Sequence, residues 1–101
     1  MKRARKSPPP PKYVFRLYVS GPTRASIRAL INLASVCEEN LAGRYDLQVI
    51  DVHGKPDLAA SDQIVATPTL LKELPPPVRR LIGDLSERDR VILGLGIRKE
   101  G

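Results

Sequence analysis

The stretch LPPPVRRLIGDLSERDRVILGLG, Leu74–Gly96, decides the fold, because it supports two incompatible readings. In the first, Val78–Ile82 is a strand after the triple proline Pro75-Pro76-Pro77, Gly83-Asp84 is a turn, and Ser86 N-caps a helix. Asp89 then stands three residues after Ser86, as the acidic member of a capping box does. In the second reading, Pro76 or Pro77 takes the first helical position, where its missing N–H costs nothing. Val78, Leu81, Ile82 and Leu85 recur at i, i+3, i+4 and i+7 on one helix face, and Val91–Leu95 follows as a buried strand. Capping and periodicity support both orders, so local propensity does not separate them. From the residues alone one packing is expected to prevail. Two packings within a few kcal/mol of each other would make the chain metamorphic.

The sequence upstream supplies a frame for the choice. Tyr13–Val19 (YVFRLYV) has apolar residues at both parities, as a central strand covered on both faces does. Ser20-Gly21-Pro22-Thr23 breaks it, and Thr23 is placed to N-cap a helix running to about Asn40. Ile27, Leu30, Ile31, Ala34 and Cys37 fall at helical spacing and are expected to form its inward stripe. Tyr45–Val52 is a second strand, parallel to the first through a right-handed crossover. His53-Gly54-Lys55-Pro56 is a turn. Asp57–Val65 holds a short helix, with Leu58 and Ile64 or Val65 facing in. Thr67-Pro68 precedes the apolar run Thr69–Leu71, and a proline is tolerated at the start of a strand, where a cis bond would be a selected feature. This is the element order of a thioredoxin-like fold, which the first reading of Leu74–Gly96 completes as βαβαββα. In that order Tyr45–Val52 lies at a sheet edge, open to a partner strand.

A chain of 101 residues accommodates one domain, expected over 13–97, with a basic proline-rich arm at 1–12 and a short tail at 98–101. The arm reads as disordered, with Pro8–Pro11 extended. The net charge of +6 points toward nucleic acid until it is located: the first 12 residues hold five basic and no acidic side chains, leaving 12 basic against 11 acidic in the rest. A near-neutral body has no bulk field for phosphate, so nucleic acid or a membrane surface would have to be met by the arm. One cysteine and one histidine exclude an internal disulfide and a Cys or His metal cluster. No apolar run approaches the length of a membrane span, no apolar segment follows the basic start as in a secretory signal, and the expected compartment is the cytoplasm.

Few residues are placed for chemistry. Redox catalysis on this fold needs a thiolate at the start of the first helix, where the helix end lowers its pKa. That position reads Ser20-Gly21-Pro22-Thr23-Arg24, and Cys37 lies far along the helix as a core residue. A glutaredoxin-like reductase is therefore disfavoured. His53 beside Asp51 reads as an exposed turn residue, and Gly94-Leu95-Gly96 lacks the third glycine and following helix of a nucleotide loop. No catalytic residue, metal or cofactor is expected.

Several blocks carry a resemblance. Leu17-Tyr18-Val19-Ser20-Gly21, Arg28-Ala29-Leu30, Val49-Ile50-Asp51-Val52, Ala66-Thr67-Pro68-Thr69-Leu70, Leu74-Pro75-Pro76-Pro77-Val78-Arg79-Arg80 and Ile82-Gly83-Asp84-Leu85-Ser86 stand in the order and spacing of the KaiB family of circadian clock proteins. The resemblance runs over about 85 residues. It implies a non-catalytic protein that binds the ATPase KaiC, helps sequester KaiA and competes with SasA. It also implies exchange between a tetrameric ground-state fold with a rearranged C-terminal half and a thioredoxin-like monomer that binds partners. Matching positions give Arg28, Gln48, Lys72, Arg79 and Arg80 as partner contacts, with Gln48 where the family carries Lys. Pro68, Pro75, Pro76, Pro77, Gly83, Asp84, Gly94 and Gly96 are the positions tied to the fold switch.

Three features depart from the family pattern: the basic arm, the absence of an acidic tail before Gly101, and Gly96 in place of Asp. Both Gly94 and Gly96 are expected to act at a helix C-terminus. These departures predict a thioredoxin-like monomer at rest. The alternatives are a divergent paralogue serving stress or signalling and a small nucleic-acid module using the arm.

Overall fold

A computed structural model describes residues 12–97. Of the expected arm only Lys12 falls within that range, and the expected tail lies outside it. Elements follow the order β1 (Tyr13–Val19), α1 (Arg24–Leu41), β2 (Tyr45–Asp51), α2 (Pro56–Ser61), β3 (Thr69–Leu74), β4 (Arg79–Ile82) and α3 (Arg88–Leu95). The first reading of Leu74–Gly96 therefore holds. The four strands form one sheet in the order β2-β1-β3-β4. β1 pairs parallel with β2 and antiparallel with β3, and β3 pairs antiparallel with β4.

The strand-then-helix order satisfies both the open edge of β3 and the core. Thr69 pairs with Ile82, Leu70 with Leu81, Leu71 with Arg80 and Lys72 with Arg79. Leu81 then packs against the core beneath α3, which contributes Val91 and Leu95. In the helix-then-strand order β3 would lose this partner.

The sheet has helices on both faces. On one, α1 and α3 cover Tyr13, Phe15, Leu17 and Leu70, with Leu33, Val36, Cys37 and Leu41 buried from α1. Burying each leucine there contributes about 1.5–3 kcal/mol before entropy is counted. On the other face a smaller cluster joins Tyr18, Ile50 and Ala59, with Leu58 and Ile64 partly buried against it. Of the two alternatives after α2, Ile64 turns inward and Val65 is exposed.

The first helix starts as its sequence dictates: Thr23 Oγ1 accepts from the Ser26 N–H at 3.1 Å. Its inward stripe is not the expected one. Ile27 is 50% and Ile31 62% exposed, and Leu30 is exposed, while Ser26, Ala29, Leu33, Val36 and Cys37 face the sheet. The helix carries two apolar stripes that meet at Cys37. Small Ser26 and Ala29 allow the helix close to the sheet, so their stripe is the buried one.

Two helix ends also differ from expectation. α2 stops at Ser61, well before Val65, because Gln63 adopts φ 57° and Asp62 is drawn onto β1 by Arg16 and Tyr18. Ser86 does not cap α3. Its N–H donates to Asp84 Oδ1 at 3.1 Å, an Asx turn that keeps the chain in a loop while Leu85 enters the core. Glu87 takes the cap position without a side-chain bond, and Asp89 falls in the first turn, where the helix dipole favours an acid.

Among the positions that the family resemblance ties to a fold switch, the bonds preceding Pro68, Pro75 and Pro77 are cis. Gly83 turns the chain after β4 with its N–H on the Pro68 carbonyl at 3.0 Å. Gly96 is the C-cap in the left-handed region, φ 67°, as its type predicts. Gly94 is not a cap: it lies inside α3, where the missing Cβ makes room for Leu81.

Candidate functional site

The loop where a redox thiol would sit carries Ser20 instead. Ser20 Oγ lies 2.8 Å from His53 Nε2, and the His53 N–H donates to Asp51 Oδ1 at 2.9 Å. The Asp51 contact is to the backbone and leaves the imidazole unoriented by a carboxylate, so the three do not form a nucleophilic triad. Cys37 is fully buried, and burial together with the Glu38 charge pushes its thiol up to about 12. A thiol held there stays protonated near neutrality and is a packing group.

The surface offers more to a partner than to a substrate. β2 pairs with β1 along one side, and among the described residues no strand occupies its other side. Leu47 and Val49 share the face of β2 that Tyr45 presents to α1, and Val49 is 48% exposed. Ile27, Leu30 and Ile31 on the outer flank of α1 are exposed as well. A free strand edge beside uncovered apolar side chains offers backbone hydrogen bonds and apolar area together, the two things a docking strand needs. Lys12 and Asp46 pair at 3.1 Å near the start of this edge, both largely exposed, a contact of little energetic weight.

The expected contact residues separate into three situations. Arg28, Gln48 and Arg79 are exposed, and Arg28 reaches Asp84 Oδ2 only at 4.0 Å. Arg80 is exposed, yet its guanidinium is engaged inside the molecule: Nη1 donates to the Gln63 carbonyl at 3.0 Å and Nη2 to the Asp62 carbonyl at 2.8 Å. Lys72 departs from the expectation of a surface cation. It is 2% exposed on the face under α1 and α3, with Nζ 5.8 Å from the Tyr13 ring centroid. β3 is an inner strand, and the parity that turns Leu70 into the core turns Lys72 with it. Desolvation, with the Arg79 charge as a lesser cause, lowers its pKa from the ordinary value.

Sequence reasoning missed a polar cluster on the α2 face. Arg16 Nη1 lies 2.8 Å from Asp62 Oδ2 and 3.0 Å from Glu73 Oε2, and the Tyr18 hydroxyl donates to Asp62 Oδ2. Burial pushes the Asp62 carboxyl up, but the bonds from Tyr18 and Arg16 outweigh it and hold the group below its ordinary 3.8. The missed signal was Arg16 itself: a cation in an apolar strand covered on both faces requires an anionic partner from elsewhere.

Comparison with known proteins follows the same lines. The family model described as the KaiB domain matches residues 16–97. The circadian clock oscillator protein KaiB of Nostoc sp. is 52% identical over 100 residues, covering 99% of this chain and 88% of the relative. That of Microcystis aeruginosa is 54% identical over 88 residues, covering 87% and 85%. Among solved structures, the N-terminal domain of Synechococcus elongatus SasA superposes with a TM-score of 0.72 at 23% identity, over 100% of this chain and 98% of that one. Mitochondrial thioredoxin 3 of Saccharomyces cerevisiae gives 0.68 at 14% identity, over 85% and 78%. These two likenesses show a thioredoxin-like fold.

Proposed function

The chain belongs to the KaiB family, and on that footing we propose that it is a non-catalytic, cytoplasmic regulator of a circadian oscillator, acting by docking other proteins. Its primary partner is a KaiC-like ATPase ring. Through the same docked state it helps sequester KaiA and competes with SasA. The observation that carries this reading is the family match over residues 16–97 on a thioredoxin-like frame without a cysteine at the head of its first helix.

Arg28 and Arg79, exposed and bearing delocalised, always charged guanidinium groups, meet acidic groups of the ring. Gln48 and the free edge of β2 receive the second partner by strand addition. The fold shared with the SasA domain supports competition, since two domains of one architecture can present alike surfaces to one ring. The resting form is the thioredoxin-like monomer, so docking requires little prior rearrangement and its conformational-selection penalty is small.

Immobilised chain incubated with a KaiC ring and ATP tests the main claim. Retention of the ring, weakened in Arg28→Ala and Arg79→Ala, is the expected result; no retention under any nucleotide condition overturns it. Light scattering on a sizing column tests the resting state: the chain elutes as a monomer of 11.2 kDa, and a stable tetramer would count against it.

A further inference from the structure

Arg80 sits on the shortest strand of the sheet, within the stretch whose sequence admits two packings. Its two hydrogen bonds end on carbonyls that helix α2 leaves behind. Asp62 and Gln63 follow the last helical residue, Ser61, and the left-handed turn at Gln63, φ 57°, prevents the helix from continuing to use their carbonyls. The C-terminal end of a helix is also its electronegative end, so a cation is favoured there. The guanidinium presents two parallel N–H groups to two neighbouring acceptors, which a lysine ammonium cannot do.

The acceptors are fixed independently of Arg80. The Asp62 carboxylate is held by Arg16 and Tyr18 on β1, and Arg16 also reaches Glu73 on β3. The end of α2 is thereby tied to the two central strands. Register decides whether Arg80 can reach it. Arg80 stands opposite Leu71 in the antiparallel pair, and a slip of one residue would turn it to the other face of the sheet. In a helix over 78–85 it would leave β3 altogether.

We propose that Arg80 is a conformational latch: its fork on the Asp62 and Gln63 carbonyls holds residues 79–82 in the β4 pairing and selects strand-then-helix over the helix-then-strand packing that the same sequence permits. The latch acts in the isolated chain, with no partner present. Its failure would leave the docking function proposed above standing.

Amide hydrogen exchange by NMR on the full chain, without partners, tests it in two variants. Arg80→Lys keeps the charge and loses the fork; Arg80→Met loses both. The latch predicts that protection of the β4 amides and of the Gly83 N–H falls about tenfold in each variant, the loss of hydrogen bonds to a charged group, while amides in the β1–β2 pairing keep theirs. Unchanged β4 protection in both variants overturns it. So does full protection in Arg80→Lys with loss in Arg80→Met, which would leave charge alone as the cause. An equal loss in β1–β2 would mean general destabilisation and would likewise reject the latch.

Discussion

Leu81 on β4 and Gly94 on α3 meet so closely that a Cβ built on Gly94 would lie 3.2 Å from Leu81 Cδ2. The contact joins the last strand to the last helix. Glycine inside a helix costs about 1 kcal/mol relative to alanine. The atom in the way is the end of a flexible side chain on a partly buried residue, free to move the few tenths of an ångström required. Gly94→Ala is therefore expected to raise stability by about 0.5–1 kcal/mol, read as a higher urea midpoint at unchanged slope. Gly94→Val, which overpacks the same contact, should lower it.

Lys72 sets a second expectation. Its ammonium has the Tyr13 ring as company, and among the described residues no carboxylate is paired with it. The lowered pKa means that desolvation outweighs the ring's attraction. A base with a depressed pKa in the folded state penalises folding below that pKa and ceases to do so as pH rises toward its ordinary 10.5. Lys72→Met should accordingly stabilise the chain by about 1 kcal/mol at neutral pH. The advantage should shrink as the pH rises through the depressed lysine pKa. An advantage that grew with pH would contradict the burial argument.

Asp62 has the opposite sign. Its depressed carboxyl contributes stability above the ordinary value of 3.8, and that contribution is lost as pH falls through the folded-state pKa. Asp62→Asn should cost about 2 kcal/mol at pH 7, with the bonds to Arg16 and Tyr18 weakened. As pH falls through the lowered Asp62 pKa the variant and the parent should converge, and denaturant titrations at pH 7 and across that acid range measure this.

The two stripes of α1 can be told apart by substitution. Ile31→Glu lies on the uncovered flank and should change stability by about 0.5 kcal/mol or less. Leu33→Ala lies under the helix and should cost about 2–5 kcal/mol. The reverse ranking would restore the stripe that spacing alone suggests.

That stripe shows where the sequence stops being legible. Element types, the parallel β1–β2 pair and the edge position of β2 follow from apolar parity, turn residues and the Thr23 cap. Which side of an amphipathic helix faces in does not, when both sides are apolar and the deciding factor is how closely Ser26 and Ala29 let it approach. The expected partner contacts were legible only as polar or charged side chains. Whether Lys72 or Arg80 faces outward depends on strand register and on the end of α2, both set by contacts far apart in the chain. The Arg16–Asp62–Glu73 cluster joins three elements for the same reason, and only Arg16 announced it.

Leu74–Gly96 remains the segment on which the account turns, and backbone NMR secondary shifts of the isolated chain address it most directly. Extended shifts over 79–82 with helical shifts over 88–95 are predicted. Helical shifts over 78–85 with extended shifts over 91–95 would contradict the account.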